Sequence, residues 1–492
     1  YHELYYYVNC CVAAYLNHFL HQTFIISARN FTSFKVKKVA YEYVVLILCQ
    51  YYLSLHQYVI DNSIPMLTMI DVRLIAKAAK DTSRKIQGIS TERKNSVLRR
   101  MKRLIIDNKK GILEANEKDI AKARKGRIPE NLISRLVFNE RKIDERLLSL
   151  EKIIRLPDPV GQIEDMEKRP NGLIMGRMRV PLGVILMIYE ARPHVTVNAG
   201  AFALKSGNAI ILKGGSEAKA CNSLLGNLWQ KALVEEGLPE KIIQSVSLSH
   251  EEVSALLNLN EYIDVVIPRG GKELIMSIIE ESRIPVIKHF EGICHVYIDK
   301  SADIEKAKDI VLDSKLLAPS VCNAMETLLI SDALSKYVPE LVKAFTKHGV
   351  EVRGCQRVHS LATDTLLTNE EDWGTEYLDK IISIRMVRDI DEAIHHINRY
   401  GSNHTDAIVT EDYTRAHRFL SEVDSGVVLV NASTMFNDGE ELGMGAEIGI
   451  STDKLHARGP MGLKELTTYK LIILGQGHTK GCDARGDSIP FR

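Results

Sequence analysis

Cys322 is the residue best suited to covalent chemistry. It lies in a turn of small residues, Ala318-Pro-Ser-Val-Cys-Asn-Ala-Met-Glu-Thr327, which leads into an apolar segment at 328–330. A cysteine attacks as its thiolate, and a polar turn at the edge of a core can supply the exposure and the hydrogen-bond donors that a thiolate needs. A single cysteine is more often a buried structural residue. The turn alone therefore leaves both interpretations open.

Two glycine turns could face a nucleotide. Lys213-Gly-Gly-Ser216 and Arg269-Gly-Gly271 each follow a short apolar run. Glycines let backbone N–H groups approach a phosphate, and a lysine can donate to ribose or phosphate. The first segment lacks the GxGxxG motif, so its glycine spacing is weak evidence for a nucleotide site. For the second turn, a loop that merely reverses the chain is an equal alternative.

The elements around these turns predict an α/β fold. Apolar runs at 184–188 and 209–212 suit buried parallel strands, and the small residues at 195–204 suit a helix between them. Ligands of such sheets lie at the carboxyl ends of the strands, which is where Lys213 and the turn Tyr189-Glu-Ala-Arg-Pro193 fall. Further strands are predicted at 245–248, 263–267, 285–287 and 427–430. Amphipathic helices are predicted from residue 70 to about 154, and a strand at 172–180 in a protruding hairpin.

Composition excludes several classes of protein. The chain of 492 residues has a net charge of +1, which argues against a nucleic-acid partner. Its eight cysteines show no CxxC spacing, so we expect no metal site and a cytoplasmic location. The tyrosine-rich residues 1–65 are interpreted as an extension upstream of a start at Met66 or Met69, with no assigned function. The apolar run at 39–55 is interrupted by charge and falls short of a bilayer span, so no membrane partner is expected.

Three segments carry a resemblance to a known family. They are the cysteine turn at 319–328, Ile394-His-His-Ile-Asn-Arg-Tyr-Gly-Ser-Asn-His-Thr-Asp406, and Gly445-Ala-Glu-Ile-Gly-Ile-Ser-Thr-Asp-Lys-Leu-His-Ala-Arg-Gly-Pro-Met-Gly462. In this order they make residues 69–477 similar to the gamma-glutamyl phosphate reductases (glutamate-5-semialdehyde dehydrogenases) of the aldehyde dehydrogenase superfamily.

The resemblance implies an aldehyde-dehydrogenase-like fold with two doubly wound α/β domains and a β-hairpin oligomerisation arm. The cofactor domain would span residues 66–299, with the hairpin at about 164–180. A catalytic domain carrying Cys322 would span 300–431. Residues 432–477 would return to the cofactor domain and the arm, and residues 478–492 would form a tail.

The implied reaction is the NADPH-dependent reduction of L-gamma-glutamyl 5-phosphate to L-glutamate 5-semialdehyde in proline biosynthesis. The Cys322 thiolate would expel phosphate and form a thioacyl enzyme, and hydride would then reduce the thioester. Each half passes through an oxyanion that needs preorganised donors. The backbone N–H of Cys322 and the side chain of Asn323 are the candidates.

The resemblance matches some cofactor-binding residues of the family more firmly than others. Lys213 resembles the lysine that holds the adenosine ribose, and Glu376 resembles the glutamate that binds the nicotinamide ribose. Ser216 stands where NAD-preferring enzymes often carry a glutamate, and the missing charge favours the 2′-phosphate of NADPH. The full predicted set is Lys213, Gly214, Gly215, Ser216, Arg269, Gly270 and Glu376.

The residues that grip the glutamyl group are harder to predict. The candidates are Asn431 and Ser433 after the predicted strand at 427–430, His456 and Arg458 in the most family-specific segment, and Arg192. Arg458 is the best anion partner among them, and its pairing with Glu447 as a structural arginine is an equal alternative.

Two departures from the hydrolytic members of the superfamily bear on the chemistry. Ala191 occupies the place of their oxyanion-hole asparagine, and Glu291 cannot be matched firmly to their general base. A missing base favours a reductase, since activated water would destroy the thioester. The alternatives are a general NAD(P)-dependent aldehyde dehydrogenase and a non-catalytic assembly protein of this fold. The implied partners are the substrate, further copies of this chain in a homo-oligomer, and glutamate 5-kinase.

Overall fold

The computed structural model describes residues 71–288, 291–445 and 447–479. The predicted extension at 1–65, the apolar run within it and the tail from residue 480 onward lie outside the described residues. Everything described below belongs to one unit of the chain, which begins at Asp71.

Helices fill the first part of this unit. They are α1 Val72–Ile86, α2 Thr91–Asp107, α3 Lys109–Lys125, α4 Glu130–Leu136 and α5 Glu140–Arg155. The apolar stripe read from the sequence faces the core, where Val97 and Met101 are fully buried. Side-chain caps begin several of these helices, as where Ser90 accepts the N–H of Arg93 at the start of α2. The prediction of amphipathic helices to about residue 154 is confirmed.

A hairpin and a four-stranded parallel sheet follow. The hairpin consists of β1 Ile163–Lys168 and β2 Ile174–Pro181, which pair antiparallel. The sheet region contains β3 Val184–Tyr189, α6 Pro193–Lys205, β4 Ala209–Gly214, α7 Lys219–Glu235, β5 Ile243–Val246, α8 His250–Leu257, β6 Val265–Arg269 and α9 Lys272–Glu281. Its strand order is β5-β4-β3-β6, and all neighbours are parallel. The predicted βαβ unit is therefore confirmed.

One predicted strand of this region is wrong. Residues 285–287 form only an isolated bridge between Val266 and Val286. Pro285 has no N–H to donate, so the ladder does not extend beyond that bridge.

A seven-stranded parallel sheet forms the second half of the unit. Its elements are β7 Cys294–Ile298, α10 Ile304–Leu316, β8 Met325–Ser331, α11 Val338–Lys347, β9 Glu351–Gly354, α12 Gln356–Leu361, β10 Leu366–Leu367, β11 Ile381–Val387, α13 Ile390–Tyr400, β12 Thr405–Val409, α14 Tyr413–Glu422 and β13 Val427–Val430. The strand order is β10-β9-β11-β8-β7-β12-β13. The domain boundary at residue 300 stays a prediction. Strand β7, which precedes that boundary, already belongs to the seven-stranded sheet.

The chain then returns to the hairpin. After the short pair β14 Ile450–Ser451 and β15 Gly459–Pro460, the strand β16 Thr467–Leu474 pairs antiparallel with β2 along its whole length. The hairpin and the strand near Leu471 thus form one three-stranded sheet, β1-β2-β16. Within the described part of the chain, no helix has the length and apolar character needed to cross a membrane.

Candidate active site

Cys322 lies in the turn between α10 and β8, at the carboxyl end of α10 and just before a fully buried strand. Its side chain is partly buried. It lines a cavity of about 370 Å³ between the two parallel sheets. Six charged side chains line the same cavity: Arg135, Arg192, Arg269, Lys272, Glu291 and Glu376. The cavity therefore places a nucleophile among groups that can bind both anions and cations.

The backbone of the cysteine turn is closely packed. A Cβ added at Gly292 would lie 1.7 Å from the carbonyl oxygen of Cys322, so only glycine fits there. The N–H of Gly292 donates to Oε1 of Glu376 at 2.7 Å, and Sγ of Cys294 donates to the Cys322 carbonyl at 3.2 Å. These contacts tie the cysteine turn to the residue predicted to bind the nicotinamide ribose.

Burial and charge set the protonation of the thiol. Burial raises the pKa of Cys322 to about 12, and the positive charge of Arg269 acts in the opposite direction. The carboxylates of Glu447 and Glu376 add to the rise. Burial also raises the pKa of Glu447, to about 7. In this arrangement Cys322 is a thiol at neutral pH, and added positive charge in the cavity favours the thiolate.

Arg192 enters the cavity from a strained turn. Its Nη1 donates to the carbonyl oxygens of Glu190 and Arg269, both at 3.3 Å. Burial, together with the neighbouring Arg269, lowers its pKa to about 10. The preceding Ala191 has a positive φ of 41°, and its N–H donates to Oε1 of Glu217 at 2.5 Å. The Glu217 carboxylate thus holds the turn that presents Arg192.

The turn after β4 carries the residues that are predicted to bind a dinucleotide. Since β3 lies between β4 and β6, the turns after these three strands meet at one edge of the sheet. A Cβ at Gly214 would lie 2.0 Å from Nδ2 of Asn222, and a Cβ at Gly215 would lie 2.1 Å from the Glu217 carboxylate. Burial lowers the pKa of Lys213. The space at both glycines is thus filled by side chains of this chain, and the binding of the cofactor's ribose and phosphates at this turn stays a prediction.

The second glycine turn has a different setting. The N–H of Gly271 donates to Oε2 of Glu190 at 2.8 Å, so a carboxylate already occupies the amino end of α9. Arg269 and Gly270 line the Cys322 cavity, whereas Lys213 lies outside it. The role of this turn in facing a cofactor phosphate stays a prediction, and Glu190 provides a negative charge there.

Asn323 and Arg458 are engaged elsewhere. The amide of Asn323 donates to the carbonyl oxygens of Met435 and Asn437, both at 3.2 Å, so its two hydrogens are used within the protein, and the predicted oxyanion role stays a prediction. The guanidinium of Arg458 binds the side chain and the carbonyl of Asp424, both at 2.9 Å. Arg458 is therefore a structural arginine, with Asp424 as its partner in place of the expected Glu447.

The other predicted substrate residues are also structural in this arrangement. The amide of Asn431 exchanges hydrogen bonds with the N–H and the carbonyl of Thr410, at 2.9 and 2.8 Å. Ser433 is buried and caps a short 3-10 helix. His456 donates from Nε2 to the Glu465 carbonyl at 2.6 Å and lines a different cavity. Asn431 and Ser433 were chosen from their position after a strand and His456 from its family-specific segment, and none of the three lines the Cys322 cavity.

Sequence reasoning missed Arg135 and Lys272 as cavity residues. Arg135 belongs to the last turn of α4 and resembles the many surface charges of the neighbouring helices. Lys272 pairs with Glu291 at 3.1 Å. Within residues 71–288, 291–445 and 447–479, no hydrogen bond or ion pair reaches the guanidinium of Arg135 or Arg269. In the same described residues, no group of three His, Cys, Asp or Glu side chains could hold a metal ion.

Comparisons with known proteins agree with this geometry. The aldehyde dehydrogenase family model matches residues 58–355 and 367–471. The gamma-glutamyl phosphate reductase of Caldanaerobacter subterraneus subsp. tengcongensis is 48% identical over 413 residues, which cover 84% of this chain and 100% of that protein. The chain belongs to the aldehyde dehydrogenase family, among the gamma-glutamyl phosphate reductases.

Further relatives support the assignment to this family. The gamma-glutamyl phosphate reductase of Carboxydothermus hydrogenoformans is 49% identical, with coverage of 84% of this chain and 100% of the relative. The crystal structure of the Thermotoga maritima gamma-glutamyl phosphate reductase is 42% identical, with a TM-score of 0.81, and covers 84% of this chain and 100% of that chain. The predicted family, the aldehyde-dehydrogenase-like α/β fold and the oxidoreductase class are confirmed. Membership of the aldehyde dehydrogenase family implies a nicotinamide cofactor.

Proposed function

We propose that this chain reduces L-gamma-glutamyl 5-phosphate to L-glutamate 5-semialdehyde and phosphate, with NADPH, in proline biosynthesis. The observation that carries the proposal is the cavity in which the Cys322 thiol lies beside Arg135, Arg192 and Arg269. An acyl phosphate needs a nucleophile for its carbonyl carbon and positive charge for its phosphate. The relatives named gamma-glutamyl phosphate reductase support the identity of the substrate.

In the first half of the reaction, the sulfur of Cys322 forms a bond to the acyl carbon. The bond from that carbon to the phosphate oxygen breaks, the phosphate leaves with its electron pair, and the proton lost by the thiol ends on the departing phosphate. Arg269 lies in the cavity without an ion-pair partner among the described residues and favours the thiolate electrostatically. We assign to it the stabilisation of the attacking sulfur and the departing phosphate. Arg192 is tied by two carbonyls and stands where it can donate to the oxyanion.

The nicotinamide cofactor, when bound, supplies the hydride that reduces the thioester. Lys213, with Gly214, Gly215 and Ser216, would hold its adenosine ribose and phosphates, and Glu376 would accept from its nicotinamide ribose. Because Glu376 lines the Cys322 cavity, this assignment brings the reactive end of the cofactor to the thiol. The preference for NADPH rests on Ser216.

The cavity also matches the remaining charges of the substrate. The glutamyl group carries an α-carboxylate and an α-ammonium besides its acyl phosphate. Arg269 acts on the Cys322 thiol and is assigned to the reacting end, whereas Arg135 is assigned to the α-carboxylate. Glu291, on the same wall, is the candidate for the α-ammonium.

The setting of Glu291 bears on the fate of the thioester. Its carboxylate is engaged by Lys272 at 3.1 Å, whereas a base that activates water must be within hydrogen-bond reach of that water. This pairing favours reductive release over the hydrolysis that a general aldehyde dehydrogenase performs.

We further propose a cytoplasmic homo-oligomer assembled through the three-stranded sheet. Its strand β16 is an edge strand that exposes Tyr469, Leu471 and Ile473, each more than half accessible. A contact with glutamate 5-kinase stays a prediction from the resemblance.

The test is Cys322→Ser, with Cys355→Ser as a matched control at a second partly buried cysteine. We expect C322S to abolish NADPH oxidation with gamma-glutamyl phosphate, and the reverse reaction with semialdehyde, NADP and phosphate, while NADPH still binds. C355S should turn over like the wild type. Turnover by C322S near the wild-type rate would overturn the mechanism, and oxidation of the aldehyde without phosphate would indicate a general aldehyde dehydrogenase.

A further inference from the structure

A buried ion pair flanks the cysteine turn on both sides in sequence. Nζ of Lys315, in the last turn of α10, lies 2.7 Å from Oε2 of Glu326 in β8, and both side chains are fully buried. Removing two charges from water costs free energy, and their mutual attraction offsets little more than that cost. An apolar pair of similar volume would stabilise the core equally well. Stabilisation of the fold therefore does not explain why this pair is charged.

The second oxygen of Glu326 binds a strained backbone. Oε1 accepts the N–H of Leu378 at 3.2 Å. Leu378 has a positive φ of 53°, a left-handed conformation that a branched residue adopts only when its surroundings hold it. Leu378 also lines the Cys322 cavity. The buried carboxylate is thus an anchor for a backbone that would otherwise relax.

The same loop is tied at its other end. Glu376 accepts the N–H of Gly292 at 2.7 Å, and Gly292 packs against the carbonyl of Cys322 with no room for a side chain. The loop at 376–378 is therefore held between the cysteine turn and the Glu326 carboxylate. Movement at Leu378 would shift Glu376 relative to the thiol.

We propose that the Lys315–Glu326 pair positions the Glu376 loop against the cysteine turn. Lys315 keeps the Glu326 carboxylate in place, and Glu326 holds the N–H of Leu378. This fixes the separation between Cys322 and the carboxylate that receives the nicotinamide ribose. The inference rests on the proposed function for the role of Glu376, and it makes Lys315 and Glu326 positioning residues that do not touch the substrate.

Two double variants separate positioning from charge. K315M/E326Q and K315M/E326L both remove the ion pair, but only glutamine keeps an oxygen that can accept the Leu378 N–H. We expect K315M/E326Q to keep KM for NADPH and kcat within about threefold of the wild type. We expect K315M/E326L to raise KM for NADPH or lower kcat by about tenfold or more, because sub-ångström displacements at a reacting centre are costly. The milder E326D, which withdraws the carboxylate by one methylene, should give a smaller change of the same sign.

A third comparison tests whether the effect passes through Glu376. In an E376A background, the change from glutamine to leucine at position 326 should have no further effect on NADPH affinity, measured by the fluorescence of bound NADPH. The proposal is overturned if the two double variants behave alike, or if the leucine effect persists in full without Glu376. The fluorescence titration needs no substrate. If the wild type binds NADPH but does not turn over gamma-glutamyl phosphate, the proposed function fails, and the titration still judges the positioning.

Discussion

The packing of Gly292 against the cysteine turn gives a sharp prediction for Gly292→Ala. The new Cβ would lie 1.7 Å from the carbonyl oxygen of Cys322 and 2.8 Å from its Cα, whereas real Cβ atoms do not approach within 3.0 Å. The backbone on one side must therefore move by more than about 1.3 Å, because no flexible side chain can yield there. A misplacement of about 1 Å at a reacting centre can reduce the rate about 10²-fold. We expect kcat/KM for phosphate-dependent oxidation of glutamate 5-semialdehyde to fall by about that factor.

The control for this prediction is Gly374→Ala. A Cβ at Gly374, two residues before Glu376, meets no atom within 4 Å, so this variant should retain near wild-type activity. Overpacking at Gly292 should cost about 1–3 kcal/mol of folding free energy, which a thermal melt can measure alongside activity. The reasoning is refuted if G292A turns over within about threefold of the wild type.

Three further predictions follow from charge and burial. Burial raises the pKa of Cys322 to about 12, so the thiolate fraction should rise about tenfold per pH unit from pH 7 to 9, and the rate of alkylation by iodoacetamide should rise with it. An alkylation rate that no longer changes with pH near neutrality would contradict this. Arg135→Gln should raise KM for the semialdehyde about tenfold or more, because it removes a charge-assisted hydrogen bond to the substrate. The control, Arg458→Gln, should leave KM within about twofold. Equal effects of the two substitutions would disprove the assignment of Arg135. Lys94→Met should cost about 1–3 kcal/mol in urea unfolding, since it removes the ammonium that lies 2.8 Å from the nearly buried Asp158 carboxylate, which keeps its hydrogen bonds from Thr91 and Val160; an unchanged free energy of unfolding would contradict this.

The cysteine turn and the βαβ unit could be predicted because their evidence is local. The buried strands are continuous apolar runs, and parallel pairing brings the turns after them to one edge of the sheet. That rule placed Lys213 near the end of β4, where the structure has it, and its contact with a cofactor stays a prediction. The same rule gave Arg192, which the structure brings to the cavity.

Position at a strand end did not identify the other substrate residues. Asn431 and Ser433 follow an apolar segment and Arg458 lies in a family-specific one, but each side chain bonds to a nearby backbone or carboxylate group. Arg135 lies on a helix whose charges look like those of any solvated face. No sequence pattern distinguishes an arginine that faces solvent from one that faces a cavity, because that difference depends on which element packs opposite.

The sequence by itself determined the family and the parallel sheets and predicted the nucleophile, since these depend on residue type, on local order along the chain and on short apolar runs. Only the tertiary structure decided which charges surround Cys322 and how the turn is held. Those features depend on contacts between residues far apart in the chain, such as Gly292 with Glu376 and Glu326 with Leu378. A hydrogen bond is specified by the position of both partners, and the sequence states only that each partner exists.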